Sequence, residues 1–499
     1  MHTSSSVRAS PVRNALLGVT LLVFLTPVIA YIACALQRLG APVLLEWMEG
    51  GSLQMMRRAL DGKSLYAQPS VEFVPYTYTP LYFYLSALIS SFVGSDLLTL
   101  RLVSFTASLV SFLLLFSIVR RETNSALGGV AAVALFAGSY AVNGNWFDIA
   151  RIDSLCIALL LGGIWLGLVD GRPRHLLAGG FLVALAFFTK QVALVVAGPL
   201  ILAVVLRHGK TGALFAGSAL ITIIGGSLIW NVLSGGWFLF YVLESPGNRW
   251  RGNLSVVHLA RAAFLEFLPI FLTSLAVTIP TVANLIRRRD RKGMSLLIVV
   301  AGLFLAAAWG RVESINFLNS SIPAHLAMAL LFGLSIGRLL DSTARLYTIV
   351  TVLVASIFQL AIFAMMLRPL VPTAEEVANS SRYSSFIGSL PRPTYLPDQG
   401  FVAALGADNS FAHSIGIMDL MMGGSAAVVA EFRREMEAAL DSKRFKTIVL
   451  DTPLFERWFK ESLQRNYEPS PPASDTTTWT PVLGFRNRPA VWTPRDEAR

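Results

Sequence analysis

The sequence predicts an all-α polytopic membrane protein that ends in a small α/β segment. Composition is the first observation behind this. Of 499 residues, 54% are hydrophobic and only 14% charged, against about 25% charged in a soluble domain, and mean hydropathy is +0.60. The second is the alternation of long apolar runs with short basic clusters, the pattern by which Lys and Arg retained in the cytoplasm set topology. The third is a change after Arg368 to polar, Pro-rich sequence. The net charge of +11 resides mostly in the connectors between apolar runs. It therefore predicts membrane threading among lipids and no nucleic-acid partner.

The elements follow in order. Arg8 and Arg13 precede the first apolar run and no small-residue cleavage site follows it, so it reads as an uncleaved first helix. Residues 14–37 carry no charge and exceed the roughly 20 residues that cross a bilayer. The basic clusters are Arg120-Arg121, Arg172 with Arg174, Arg207 with Lys210, Arg287 through Lys292, and Arg338 with Arg345. Placing these and the N-terminus in the cytoplasm forces the remaining runs to alternate. Residues 102–119 return the chain. The run at 81–93 is too short to span, and Tyr76, Tyr78, Tyr82 and Tyr84 gather at its start, so it lies in the outer interface. Residues 38–100 thus form a large external loop with two interfacial helices, the first marked by Leu53, Met56 and Leu60. The next pair of crossings is 125–142 and 154–169. A short hairpin, 176–188 and 192–206, has Lys190 at its outer tip. Runs at 213–233, 262–286, 294–310, 318–337 and 346–367 complete about eleven spans.

An odd number of crossings leaves residues 370–499 outside, as a domain distinct from the transmembrane core of 1–369. There 401–405 and 447–450 read as strands. Residues 426–440 read as a helix with Glu431, Arg434 and Glu435 on its wet face. A closing hairpin is expected around 484–489, and disorder from Thr493 onward. Strand, helix, strand predicts an α/β fold. Cys34 and Cys156 both fall in apolar runs and read as small core residues, with no disulfide framework.

This threading collects polar clusters at one membrane boundary. They are Glu46 with Glu49; Asp148, Arg151 and Asp153 at the exit of the third span; Lys190; Asn248, Arg249 and Arg251; and Arg311, Glu313 and Asn316. Arg binds phosphate oxygens through a bidentate fork and Lys as a point charge. A carboxylate beside them can take a proton from an attacking alcohol. Each residue also has a plainer reading. Arg151 and Asp153 pair at a helix start, Lys190 snorkels to the interface, Arg311 and Glu313 form a loop ion pair, Arg249 and Arg251 meet headgroups, and His325 is a packed histidine.

At these residues the chain resembles the GT-C superfamily, membrane glycosyltransferases that use polyprenyl-phosphate sugars and include protein O-mannosyltransferases and the lipid A aminoarabinose transferase. The resemblance rests on the acidic first loop, on Tyr78-Thr79-Pro80-Leu81-Tyr82 before the second interfacial helix, and on Asp148 and Asp153. Phe188-Thr189-Lys190 and the Asn248-Arg249 loop add to it. Many relatives carry Asp-Glu-Gly where this chain has Met48-Glu49-Gly50, which leaves Glu49 as the better match and Glu46 as a substitute for the missing Asp.

The resemblance implies an inverting transfer of a sugar from a polyprenyl-phosphate donor to an extracytoplasmic lipid, glycan or protein. Glu49 is expected to be the base, ahead of Gly50-Gly51 where a substrate can approach closely, with Glu46 or Asp153 assisting. Lys190, Arg249 and Arg311 are expected on the donor phosphate, and Asp148, Arg151, Tyr78 and Asn248 around the substrates. No Asp-x-Asp motif is present in the loop, so neither a metal nor another cofactor is expected. A transporter or flippase is the rival reading; it predicts ionisable residues near the bilayer midplane and repeated halves, and the charges here lie at one boundary.

Overall fold

The computed structural model describes residues 11–250, 267, 270–288, 290–312, 318–340, 344–365, 371–399, 411–470 and 479–495. The expected strand at 401–405 lies outside them, as do Arg251, Glu313 and Asn316.

Helices occupy the apolar runs. In chain order they are α1 (Pro11–Leu39), α2 (Glu49–Leu60), α3 (Leu81–Val93), α4 (Leu97–Thr123), α5 (Ala126–Gly138), α6 (Asp153–Ile164), α7 (Pro173–Thr189), α8 (Ala193–His208) and α9 (Gly212–Leu233). Then come α10 (Ser245–Trp250), α11 (Leu272–Arg288), α12 (Arg291–Val312), α13 (Ile322–Leu339) and α14 (Leu346–Met365). Among the described residues, six helical stretches are long and apolar enough to cross a membrane, one of them the pair α8 and α9, which turns at Gly209 (φ 60°). Helix α2 keeps Leu53 and Met56 buried, while Leu60 at its end is exposed.

Helices α5 and α6 have 13 and 12 residues. At 1.5 Å per residue neither reaches across the roughly 30 Å hydrocarbon core. A π-helical segment, Trp165–Val169, lengthens α6 at its C-terminal end. Between α5 and α6, residues 139–152 run as irregular backbone, and all but Gly144 are buried. Non-helical chain is tolerated at such depth only where protein encloses it. The shortness of α5 and α6 thus creates a protein-lined basin into which residues 145–153 fold.

Helix α13 forms the central post, buried at every residue from Ile322 to Gly337. It crosses α5 closely. A Cβ at Gly128 would stand 2.7 Å from the Gly333 carbonyl oxygen and 2.8 Å from the Gly337 Cα, so small residues set this approach, as is common between membrane helices.

The C-terminal segment comprises α15 (Ala374–Ser389), β1 (Thr394–Tyr395), α16 (Ser414–Gly423), α17 (Ala426–Asp441), β2 (Thr447–Leu450), α18 (Leu454–Asn466), β3 (Tyr467–Pro469), β4 (Trp479–Val482), β5 (Phe485–Asn487) and β6 (Ala490–Pro494). Helix α15 opens with a capping box between Thr373 and Glu376. One sheet has the order β1-β2-β6-β3, with β1 and β2 parallel and the other pairs antiparallel. The expected hairpin is β4–β5, turning at Gly484 (φ 74°).

The expected disorder from Thr493 is corrected at Thr493 and Pro494, which belong to β6, held by its pairing with β2 and β3 and by the buried Trp492; residues 496–499 lie outside the described ones.

Packing continues from this layer into the loop between α1 and α4. Tyr395, Ile448 and Trp492 share one apolar cluster with Met56, Val74 and Phe83, and the Leu483 amide donates to the Leu44 carbonyl at 2.7 Å.

Candidate active site

Two buried ion pairs build the floor of the site. Glu49 opens α2 and is fully enclosed. Arg101 grips it through Nε–H to Oε1 at 2.9 Å and Nη2–H to Oε2 at 2.7 Å. The amides of Ala150 (2.8 Å, to Oε1) and Leu45 (2.7 Å, to Oε2) complete its shell. Burial works against the charged form, but Arg101 and these donors outweigh it and hold the carboxyl below its ordinary range. The remaining Arg101 donors bind the carbonyls of Ala41 and Val43, each at 2.8 Å, clamping the 41–49 loop to α4. The second pair is Arg38 Nε to Asp148 at 2.9 Å, with the Tyr140 hydroxyl donating to the same carboxylate at 2.6 Å. Burial pushes Asp148 up despite Arg38.

Above this floor lies a cavity of about 440 Å³ lined by Tyr78, Arg151, Asp153, Lys190, Arg249 and Asp419 among others. Its remaining wall is largely apolar, with Ile157, Leu160, Leu194, Val195, Leu243, Trp309 and Ile322. Three ion pairs mark its polar end. Lys190 Nζ meets Asp153 Oδ1 at 2.6 Å, and the Asn319 amide donates to the same oxygen at 3.1 Å. Burial opposes the Lys190 charge, but Asp153 more than offsets this and raises it. Arg151 reaches Glu46 Oε2 at 3.3 Å and the Tyr78 hydroxyl at 2.9 Å, and its guanidinium lies 4.7 Å from the centre of the Trp146 ring. Arg249 pairs with Asp419 and donates to the Thr77 hydroxyl at 3.2 Å.

The two acids of the first loop therefore differ sharply. Glu49 is saturated and does not line the cavity. Glu46 stands behind Arg151 and Met48, which do line it, and its Oε2 accepts the Met48 amide at 3.0 Å. Its Oε1 is buried without a hydrogen-bond partner. Burial, only partly opposed by Arg151, pushes the Glu46 carboxyl up to about 7. The space expected at Gly51 for a substrate is taken by protein, since a Cβ there would stand 1.8 Å from the Tyr76 hydroxyl.

The other expected residues divide as follows. Tyr78, Arg151, Asp153, Lys190 and Arg249 meet in the cavity, whereas Asp148 lies beneath it. Asn248 donates to the Gly423 carbonyl at 3.0 Å and so ties α10 to α16. Arg311 donates to the Ser321 hydroxyl at 3.2 Å beside the cavity-lining Ser320. His325 packs against Phe267 and Phe271. Among the described residues no three His, Cys, Asp or Glu side chains gather as a metal site would require.

Sequence reasoning missed Arg38, Arg101 and Asp419. The first two had a signal, because each stands at a span end that the expected threading places outside, where basic residues are depleted. Asp419 is the sole acid in the apolar run of α16.

Residues 77–230 match the dolichyl-phosphate-mannose-protein mannosyltransferase family, and no curated protein sequence matches the chain significantly. The fold is similar to that of ArnT from Cupriavidus metallidurans bound to undecaprenyl phosphate, at 13% identity and TM-score 0.58, over 95% of this chain and 98% of that one. It is also similar to the oligosaccharyltransferase AglB from Archaeoglobus fulgidus, solved with an inhibitory peptide and a dolichol-phosphate. There the identity is 12% and the TM-score 0.53, over 92% of this chain and 73% of the other.

Proposed function

We propose that this chain, a multi-pass membrane protein with the GT-C glycosyltransferase fold, transfers a sugar from a polyprenyl-phosphate donor to an extracytoplasmic acceptor hydroxyl. The observation that carries this reading is the cavity itself, which sets Lys190 and Arg249 against an apolar wall. That pairing of phosphate-binding cations with a greasy surface suits a prenyl phosphate. Two relatives of the same fold were solved with such lipids, undecaprenyl phosphate and dolichol-phosphate.

The proposed step is one inverting displacement. The acceptor oxygen bonds to the anomeric carbon as that carbon's bond to the phosphate oxygen breaks. Glu46 takes the acceptor proton on Oε1, the oxygen that carries no hydrogen bond, beside Arg151 and Met48, which line the cavity; its carboxyl near 7 matches what general-base catalysis at neutral pH requires. Lys190 and Arg249 stabilise the departing phosphate, with Asp153 and Asn319 orienting Lys190. Arg151 and Tyr78 contact the sugar side. Glu49 keeps the loop in place through Arg101. The fixed cations supply the positive charge the phosphate needs, so turnover is expected to survive chelation. The reaction and the C-terminal layer are assigned to the extracytoplasmic face, with the N-terminus in the cytoplasm.

The test adds a labelled polyprenyl-phosphate sugar to purified protein with candidate acceptors and measures free lipid phosphate. Release above the no-protein control is expected. Lipid moving between leaflets with no sugar released would replace this reading with that of a flippase.

A further inference from the structure

Asp419 is a residue of the C-terminal layer that reaches the proposed donor site. Helix α16 delivers it, and Ile415 and Met418 of the same helix also line the cavity. Its Oδ1 accepts from Arg249 Nη1 and its Oδ2 from the Thr77 hydroxyl at 3.0 Å. Arg249 also donates to Thr77, so the three side chains close a triangle. Side chains of Arg249 and Asp419 are each 9% exposed, so their attraction is only weakly screened.

The union of α10 and α16 is tight. A Cβ at Gly423 would stand 2.3 Å from the Ser245 carbonyl oxygen, and Asn248 binds the Gly423 carbonyl. The α10 backbone that carries Arg249 is thus tied to α16, and Asp419 and Thr77 hold its guanidinium.

Resting on the donor reading above, we infer that Asp419 is a positioning residue that sets how strongly Arg249 holds the lipid phosphate. It orients the guanidinium and at the same time opposes the phosphate with like charge. Arg presents five N–H donors, so a phosphate can engage the fork while Asp419 retains one arm. The carboxylate then stands within one guanidinium width of the phosphate, and its repulsion keeps the monoester product from staying bound. A residue of the C-terminal layer would thus govern product release.

The experiment uses the full chain in nanodiscs and a polyprenyl monophosphate as probe, with binding and steady-state turnover measured together. Asp419→Asn keeps the shape and a hydrogen bond to Thr77 but removes the charge. It is expected to tighten polyprenyl monophosphate binding about tenfold and to lower both the donor KM and kcat. Asp419→Glu should restore both toward the parent. A purely structural role would lower the melting temperature without tightening the lipid. Binding unchanged or weakened in a folded Asp419→Asn protein overturns the inference. If that variant does not fold, Thr77→Val gives the same decision. It removes the donor that holds Asp419 off the phosphate, so the inference expects weaker lipid binding, and unchanged binding overturns it. Should the parent itself not bind the lipid, the donor reading fails instead.

Discussion

The contrast between Glu49 and Glu46 yields the most informative perturbation, because one substitution at either position gives opposite phenotypes. Glu49→Gln replaces an acceptor-only carboxylate by a group with two N–H donors. Both carboxylate oxygens of the parent receive two donors each, from Arg101, Ala150 and Leu45. In the substituted side chain one end must point N–H groups at Arg101 or at a backbone amide, and Arg101 keeps an uncompensated buried charge. Breaking one partner of a buried pair costs about 3–5 kcal/mol. Glu46→Gln removes one charged contact to Arg151 at 3.3 Å but leaves an acceptor for the Met48 amide, and Arg151 keeps Tyr78 and the nearby Asp153 charge, so its stability cost is expected to be smaller than that of Glu49→Gln. Its expected effect is on turnover, a loss of about 10²-fold or more if it is the base. Thermal melting of detergent-purified protein and single-turnover sugar release separate the two. Glu49→Gln should melt well below the parent, and the double change Glu49→Leu with Arg101→Met should recover part of the loss. A Glu49→Gln protein as stable as the parent but inactive, with Glu46→Gln active, would return the base to Glu49 and refute the reasoning.

Three further outcomes follow from the same geometry. With the Glu46 carboxyl near 7 and the base required deprotonated, kcat/KM should climb tenfold per pH unit below about 7 and level off above it; a profile flat from pH 5 to 8 removes Glu46 from that role. The sign for stability is opposite, since a carboxyl raised by folding stabilises fully below its unfolded value and loses that contribution as pH rises through about 7. Lys190→Ala and Arg249→Ala should each weaken polyprenyl monophosphate binding by about 10-fold to 100-fold, corresponding to ~1.5–3 kcal/mol per charge-assisted bond, and each should also lower the melting temperature, because Asp153 or Asp419 loses its buried partner; variants that remain folded and bind normally would dismiss the phosphate assignment. Reporter fusions after Met365 and after Arg288 should give external and cytoplasmic signals respectively, and equal signals would undo the threading.

The helices were legible because hydropathy and length are local properties. Helix α3 occupies the apolar run 81–93, and the first loop and the α6 entry were recognised as the places where charge meets the membrane boundary. The resemblance ranked Glu49 above Glu46, but the sequence held no physical ground for choosing between two acids three residues apart, one in the turn before α2 and one at its first position. The difference between them is Arg101, 52 residues from Glu49 along the chain, together with the Ala150 amide, which only the short α5 and the buried 139–152 segment bring near. Strand β6 was missed for a related reason. Ala490–Pro494 contains two polar or Pro positions in five residues, and its order comes from partners on both edges rather than from its own pattern.

Charge balance links these pieces to the proposed reaction. Three cations and three acids meet at the polar end as pairs, Lys190 with Asp153, Arg151 with Glu46, and Arg249 with Asp419. A donor phosphodiester brings one negative charge into this near-neutral group, and the product monoester leaves with two. The added charge equals the proton that the acceptor surrenders. If that proton rests on Glu46, the total is the same before and after transfer, and no net charge must enter a low-dielectric basin during the step. A carboxyl held near neutrality by burial is suited to this exchange, whereas Glu49, pinned in its charged form by Arg101 and two amides, could take the proton only by breaking the clamp that shapes the loop. The same arithmetic explains why the floor pairs and the cavity pairs are separate sets of residues. One set must keep its charges fixed so that the other can change.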